Sequence, residues 1–169
     1  MSVPSSAPTA ATKPLDTLDQ TEWESLCDGC GKCCLHKLED DETGRIYYTD
    51  VACRQLDVQS ARCRNYRLRH YLVKTCVGLT AEVTEQLVWL PPTCAYRLRA
   101  EGRPLPAWHP LLTGDPESVH AAGASVRGRA VDERRAGDYM EHLAVWPLEE
   151  PEDLTPPAGE TSDTGTGRG

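Results

Sequence analysis

Eight cysteines are the side chains of this 169-residue sequence that are best suited to chemistry. Four of them lie in one short segment with the spacing C-x2-C-x2-C-C, and the other four follow at wide intervals. Thiolates bind zinc and iron well, and two residues between cysteines let both sulfurs reach one centre while the backbone turns around it. We therefore treat all eight as candidate metal ligands, namely Cys27, Cys30, Cys33, Cys34, Cys53, Cys63, Cys76 and Cys94.

The first three cysteines have the spacing that holds a [4Fe–4S] cluster in bacterial ferredoxins, where a distant cysteine completes the set. Cys27, Cys30 and Cys33 fit this template, and Cys34 is left over. Because adjacent side chains usually project in different directions, one of Cys33 and Cys34 can face the cluster while the other serves a second site or the core. Zinc is the alternative, although the chain lacks the second C-x2-C pair of a zinc ribbon. The spacing predicts an iron–sulfur cluster or Zn²⁺.

Two other uses of these cysteines compete with metal binding. Free cysteines are among the most buried residue types, so each of the four dispersed cysteines is as well explained by a place in the core. A disulfide framework is disfavoured because nothing in the sequence indicates secretion. Metal binding is the stronger interpretation for the four clustered cysteines, since packing alone rarely produces such a spacing.

The segments around the cysteines resemble a known family. The segment that begins CDGCGKCCLHKLEDDETG and the later segment WLPPTCAYRLRAEGRPLPAWHPLLTG are similar to the YcgN-like UPF0260 bacterial proteins, which fall in the wider YkgJ-type CxxCxxCC group of zinc- or iron-chelating domains. The resemblance runs from about residue 23 to residue 146 and carries over only the four motif cysteines. Flagellin lysine methylases contain the same cysteine cluster, so the resemblance also admits a redox or protein-modifying enzyme.

Composition divides the chain into a domain and two tails. Residues 1–16 are rich in Ser, Pro, Ala and Thr, and residues 148–169 are acidic and rich in Pro, Gly and Thr, so both are predicted to be disordered. Residues 17–147 then form one cysteine-cluster domain. The net charge of −8 lies mostly in the C-terminal tail, which leaves this domain nearly neutral and argues against an extensive nucleic-acid-binding surface.

The sequence also suggests a compartment. No segment approaches the roughly 18 apolar residues of a membrane span, and the N-terminus has no signal-peptide pattern. We therefore expect a cytoplasmic protein, with an unidentified protein as its partner or substrate and without a membrane association.

The basic stretch from residue 54 to residue 74 is the second feature that could carry function. Arginine pairs with phosphate and tyrosine stacks on bases, so this stretch, with Tyr66 and Tyr71, could form a zinc-stabilised RNA-binding module. Alternatively, it is a solvated face, or a basic rim that stabilises an anionic thiolate centre. The arginines on which RNA binding would depend are Arg62, Arg64, Arg67 and Arg69.

Three histidines are further candidates. His36 follows the cysteine cluster by two residues and is the histidine expected nearest to the metal, whereas His109 and His120 could complete a metal shell or act as acid–base groups. A packed turn explains His109 more simply, and exposure on a helix explains His120. Ser118, Asp115 and His120 lie close in sequence, but a helix cap accounts for them better than a catalytic triad does.

The elements that must position the cysteines are short. DTLDQTEWESLC predicts a helix with Thr17 and Gln20 at capping-box spacing, which delivers the chain to Cys27. Gly29 and Gly31 interrupt this helix and permit a tight loop. The sequence therefore predicts a sulfur-bearing loop directly after the first helix.

The remaining elements complete the predicted fold. KLEDDETGRIYYTDVAC predicts a β-hairpin that Cys53 closes. Capping and apolar patterns predict short helices after Thr80, after Pro91 and after Asp115, and ASVRGRAV predicts a short strand. We expect an α+β fold: a small single domain in which a cysteine-rich loop, a hairpin and several short helices are organised around a metal site.

Overall fold

A computed structural model describes residues 9–146. The helices are α1 (Gln20–Ser25), α2 (Arg69–Leu72), α3 (Ala81–Thr84), α4 (Ala95–Ala100), α5 (Pro110–Thr113), α6 (Ser118–Ala121) and α7 (Glu133–Ala136). The strands are β1 (Leu35–Glu39), β2 (Ile46–Ala52), β3 (Leu56–Asp57), β4 (Arg62–Cys63) and β5 (Val131–Asp132). Short helices and small sheets in one small domain confirm the predicted α+β class. In these residues no helix is long and apolar enough to cross a bilayer.

The predicted hairpin is the largest sheet element. Strands β1 and β2 pair antiparallel, with Leu38 opposite Tyr47, and β5 adds to β2 in parallel. Asp40 shapes the turn between the strands, because its carboxylate accepts hydrogen bonds from the backbone N–H groups of Glu42 and Thr43. The hairpin prediction is confirmed, and the end of β2 delivers the chain to the next cysteine.

The helix starts differ in detail from the sequence prediction. The capping box of α1 is formed by Asp19 and Glu22, each accepting a hydrogen bond from the other's backbone N–H, while Thr17 ends a preceding 3-10 turn. Helix α6 begins at Ser118, since the Asp115 carboxylate accepts from the backbone N–H of Glu117 and forms a turn before the helix. A carboxylate near a helix start can thus shape the preceding turn or cap the helix itself.

The strand predicted over residues 124–131 is mostly a turn. Only Val131 belongs to a strand, β5, and Gly128 adopts a φ of 71° that no regular strand contains. The backbone N–H of Gly128 donates to the carbonyl of Val58, at 3.0 Å, and that of Val126 donates to the carbonyl of Cys30. The prediction was wrong here because this segment bonds to two loops and not to a neighbouring strand.

Two hydrophobic clusters stabilise the domain. The sheet cluster contains Leu35, Tyr48, Ala52, Leu56, Ala61, Val126 and Trp146. The helix cluster contains Ala10, Leu26, Ala95, Tyr96 and Leu105. Cys34 packs against the first cluster and Cys94 against the second, so each cluster holds one cysteine in place.

Part of the segment predicted as an N-terminal tail packs onto this core. Ala10 is 5% exposed in the helix cluster, and Ala11 and Leu15 pack beside it. Lys13 pairs with Glu22 of α1, which fixes the segment from a second side. Residues 9–16 pack in this way because a few apolar side chains suffice to bury a short segment against an existing surface. Residues 1–8 and 147–169, which include the rest of both predicted tails, lie outside the described part.

His142 ties the closing 3-10 turn, Tyr139–His142, to strand β2. Its Nδ1 lies 2.8 Å from Asp50 Oδ1 and its Nε2 lies 2.8 Å from the Ala136 carbonyl oxygen, so both ring nitrogens donate and the ring is an imidazolium. The hydrogen bond to Asp50 raises the pKa of His142 above its usual range. This stabilisation is complete below the unfolded-state pKa of about 6.5 and is lost as pH rises through the raised pKa.

The substitution Asp50→Asn should therefore destabilise the protein mainly at acid pH. We expect its melting temperature to fall below that of the wild type near pH 6. The difference should narrow at alkaline pH, where the His142 ring is neutral in both proteins. Thermal denaturation over a pH series measures this. A difference that stays constant with pH would contradict the assigned imidazolium.

Candidate metal centre

The cysteines lie on loops and element ends. Cys27 and Cys30 lie in the loop after α1, Cys33 and Cys34 in the 3-10 turn Lys32–Cys34, and Cys53 directly after β2. Cys63 ends β4, Cys76 follows α2, and Cys94 is the N-cap residue of α4. All eight are free thiols; Cys27 and Cys33 are exposed and the other six are partly buried. The disulfide alternative thus finds no support among the described residues.

The cysteine loop favours glycine at two positions. Gly29 and Gly31 have φ values of 80° and 78°, the left-handed region that favours glycine. A Cβ atom on Gly31 would lie 2.7 Å from Cγ2 of the fully buried Val126, and one on Gly29 would lie 2.8 Å from the guanidinium carbon of Arg62, at the movable end of a long side chain. Gly31 therefore allows the loop to approach its neighbour closely, whereas Gly29 is favoured by its backbone conformation.

Buried polar groups fix the loop from within. Asp28 is 6% exposed, and its carboxylate accepts a hydrogen bond from the backbone N–H of Cys30 at 2.9 Å. The carbonyl of Cys30 in turn accepts from the backbone N–H of Val126, at 2.8 Å. The loop backbone is thus held at Cys30 on both its donor and its acceptor side.

The structure brings the distant Cys94 beside the cysteine motif. Burial raises the pKa of Cys94 to about 12, and the charges of Cys33 and Cys27 contribute to the rise. Although Cys27 as a whole residue is exposed, the protein around its sulfur desolvates the thiol and raises the pKa of Cys27 to about 12, with contributions from the charges of Cys33 and Asp28. Cys94 also packs against the helix cluster that contains Leu26, the residue directly before Cys27. Cys94 therefore shares one neighbourhood with the first part of the motif.

The other dispersed cysteines gather near Cys34. Its hydrogen bond with Cys33 and its burial raise the pKa of Cys34, and the charges of Cys53 and Cys63 raise it further. Burial raises the pKa of Cys76, with contributions from the charges of Cys53 and Cys63. The same Cys33–Cys34 hydrogen bond lowers the pKa of Cys33 to about 7. Every predicted cysteine thus lies near at least one other.

These thiols lie near one another, but they are not arranged around a common point. Between residues 9 and 146, no group of three or more His, Cys, Asp or Glu side chains is arranged to hold a metal ion. The donor set nevertheless fits a thiolate-bound metal in chemistry, because soft thiolates are the ligands that zinc and iron–sulfur clusters take. Because rotation about one side-chain torsion moves a cysteine sulfur, neighbouring thiols can turn toward a common metal.

Basic side chains surround the thiols. Desolvation raises the pKa of Cys27, and the charge of Arg62 lowers it. The charge of Arg54 likewise lowers the pKa of Cys53 against the effect of its desolvation. Lys37 and Arg69 do so for Cys33 and Cys76, respectively. Three of these four cations belong to the basic stretch 54–74. Their placement supports the basic rim among the alternatives for this stretch.

His109 has a structural role. It is fully buried, and its Nε2 lies 2.9 Å from the carbonyl oxygen of Leu26, directly before the first cysteine. Its Nδ1 accepts a hydrogen bond from the backbone N–H of Leu111 at 3.0 Å, so Nε2 carries the proton and donates. Both ring nitrogens are in use, and neither is left for a metal.

The other two histidines also bond within the fold. His36 Nε2 lies 2.5 Å from Glu133 Oε2, and the imidazole packs on the ring of Tyr139. His120 Nδ1 lies 2.7 Å from the hydroxyl of Ser125. Both side chains are therefore engaged with residues outside the cysteine set.

The structure also gives no triad around Ser118. Its hydroxyl donates to the backbone carbonyl oxygens of Trp108 and Asp115, whereas His120 bonds to Ser125. A triad requires the serine, the histidine and the carboxylate to bond in sequence. The helix-start interpretation of these residues fits the observed contacts.

Sequence reasoning missed one charged residue inside the motif. Lys32 is fully buried between Cys30 and Cys33, and its Nζ lies 3.4 Å from the hydroxyl of Thr93, next to Cys94. A buried ammonium beside thiolates offsets their charge. Its position within the motif was the available signal, but lysine is almost never fully buried, which made this placement hard to predict.

Comparison with known proteins assigns the chain to a class and then to a family. The CxxCxxCC model, described as a "Putative zinc- or iron-chelating domain", matches residues 26–95. A UPF0260 protein of Granulibacter bethesdensis is 53% identical over 155 residues, covering 90% of this chain and 93% of the relative. One from Rhizorhabdus wittichii is 61% identical over 132 residues, covering 78% and 90%. The chain belongs to the UPF0260 family, as its resemblance predicted. No solved structure matches it.

The substitution Gly31→Ala tests the close approach of the loop. It should lower the free energy of unfolding by about 1–3 kcal/mol more than Gly102→Ala does, because a Cβ at residue 31 overlaps Val126. Gly102 is the matched control, since its φ is also positive, 69°, and no atom lies within 4 Å of its Cβ position. Urea denaturation measures the free energy of unfolding of both variants. Equal losses of this free energy would show that the loop can shift to accommodate a side chain at residue 31.

The substitution His109→Ala separates a structural histidine from a ligand. It removes two buried hydrogen bonds and leaves a cavity, so we expect a loss of about 2–5 kcal/mol in unfolding free energy. The metal bound per folded chain should equal that of the wild type, as measured by elemental analysis after gel filtration. His120 is half-exposed, so His120→Ala is the control, and it should lose less unfolding free energy. If His109→Ala loses metal while keeping its stability, His109 is a ligand.

Proposed function

We propose that this chain is a metal-chelating protein whose centre is bound by four thiolates, from Cys27, Cys30, Cys33 and Cys94. The packing of Cys94 against the hydrophobic cluster that contains Leu26, directly before the motif, carries the proposal, because a residue far away in sequence supplies the fourth thiol that the C-x2-C-x2-C run needs. The zinc- or iron-chelating description of the matched domain agrees with this function.

Packing explains how Cys94 reaches the motif. Ala95 and Tyr96, the first residues of α4, pack with Leu26 in the helix cluster. The Tyr96 hydroxyl donates to the carbonyl oxygen of Trp23 in α1, at 2.8 Å. The end of α1 and the start of α4 are therefore fixed to each other, and each carries a cysteine next to the contact.

An iron–sulfur cluster is the centre that this donor set fits best. The run of three cysteines with a remote fourth is the arrangement that holds [4Fe–4S] clusters. When bound, such a cluster supplies one-electron transfer. The thiolates make the centre anionic, and Arg62, Lys37 and the buried Lys32 supply positive charge close to it.

A reducing compartment suits this chemistry. Thiols stay free in the cytosol, where glutathione and thioredoxin keep them reduced. All eight cysteines of the chain are free thiols. The cytoplasm is therefore the location that we propose.

The substitution Cys30→Ser should lower both metal content and stability. A serine hydroxyl is a poor ligand for a soft metal centre, so we expect less bound metal and a fall in melting temperature of about 2–4 °C for each kcal/mol lost. Protein purified without oxygen is assayed for iron, acid-labile sulfide and zinc, and its visible absorption is recorded. Finding iron together with acid-labile sulfide would support the iron–sulfur cluster. Finding zinc alone would show that the centre is a zinc site.

Ser125→Ala is the matched control for this experiment. Ser125 is 3% exposed and bonds to His120, and its neighbour Val126 contacts the loop, so its loss destabilises the same region without removing a thiol. The control should melt at a lower temperature and keep its metal. If Cys30→Ser keeps the wild-type metal content, the proposed centre is wrong.

A further inference from the structure

We propose that the eight cysteines form two separate metal centres and that Cys33 and Cys34 send one sulfur to each. The second centre takes zinc or iron on the thiolates of Cys34, Cys53, Cys63 and Cys76. This inference rests on the proposed function and extends it, because it assigns every cysteine to one of two sets of four.

The backbone joins Cys34 to Cys53. The backbone N–H of Cys53 donates to the carbonyl oxygen of Cys34 at 2.9 Å, at the point where Leu35 of β1 pairs with Ala52 of β2. One cysteine therefore directly precedes β1 and the other directly follows β2, and their backbones are adjacent. Neither residue depends on a flexible loop for this position.

A second pairing adds Cys63. The carbonyl oxygen of Cys53 accepts from the backbone N–H of Leu56 at 2.8 Å, and Leu56 of β3 lies directly opposite Cys63 of β4. The sulfur of Cys53 accepts from the backbone N–H of Gln55, at 3.5 Å. An N–H···S bond of this kind stabilises the thiolate form that a metal requires.

Cys76 is held beside the same turn. Nη2 of Arg54, the residue after Cys53, donates to the carbonyl oxygen of Leu72 at 2.8 Å, at the end of α2. Nδ1 of His70 lies 3.1 Å from the carbonyl oxygen of Cys76. These contacts dock α2 and the chain that follows it against the turn at Cys53.

The packing of the two sets is also separate. Cys34 contacts the sheet cluster, and Cys94 contacts the helix cluster. Arg62 lies against Gly29 of the loop that carries the first set, and Arg54 directly follows Cys53 of the second set and bonds to α2. Two anionic centres so close together repel each other, and separate cations reduce that repulsion.

Counting the centres tests the inference. Native mass spectrometry of the anaerobically purified wild-type chain should show two bound centres, and elemental analysis identifies the metal in each. Cys30→Ser should keep one centre and Cys63→Ser the other, and the double variant should keep none. Ala130→Ser, which places a serine beside the sheet cluster without removing a thiol, should keep both.

The outcomes separate the two proposals. If the wild type holds one centre, the second centre does not exist while the proposed function stands. If Cys63→Ser keeps both centres, Cys63 is not a ligand and the proposed second set of four thiolates is wrong. If Cys63→Ser removes metal and Cys30→Ser does not, the first centre fails. Circular dichroism shows whether each variant is folded, and the wild-type count decides the question even if a variant does not fold.

Discussion

The concentration of eight thiols in one small domain is the constraint on which the rest of this structure depends. Desolvation and mutual repulsion raise the pKa of most of these thiols, which favours the protonated form over the thiolates that a metal would need. A bound metal would supply the positive charge that makes the deprotonated state favourable, and its binding would release those protons. The buried Lys32 and the arginines of the basic stretch contribute in the same direction.

The fold is built from elements too short to be stable alone. Seven helices in residues 9–146 have four to six residues each, and the chain contains no Phe, the residue that often fills a small core. Its two hydrophobic clusters meet at the cysteine motif, where Leu26 belongs to one and Leu35 to the other. Metal binding in this segment would therefore join the two clusters, and it would add stability that local propensity does not provide.

Hydrogen bonds of the polar side chains explain which residues serve the site and which serve the fold. His109 holds the carbonyl before the first cysteine, and His36 pairs with Glu133, whose carboxylate also accepts from the backbone of Arg54. Such contacts fix the chain on either side of the cysteines. The basic stretch places Arg54, Arg62 and Arg69 where their charges act on thiols.

The sequence by itself determined the local features. The C-x2-C-x2-C-C run, the glycines that permit its loop, the hairpin and the family resemblance are all encoded by neighbouring residues, because backbone preferences and ligand spacing act over a few positions. Only the tertiary structure decided which distant cysteines approach the motif, that Ala10 is buried, and that His109 is structural. These depend on contacts between residues far apart in the chain, and the spacing of residue types along a single sequence carries no direct record of such contacts.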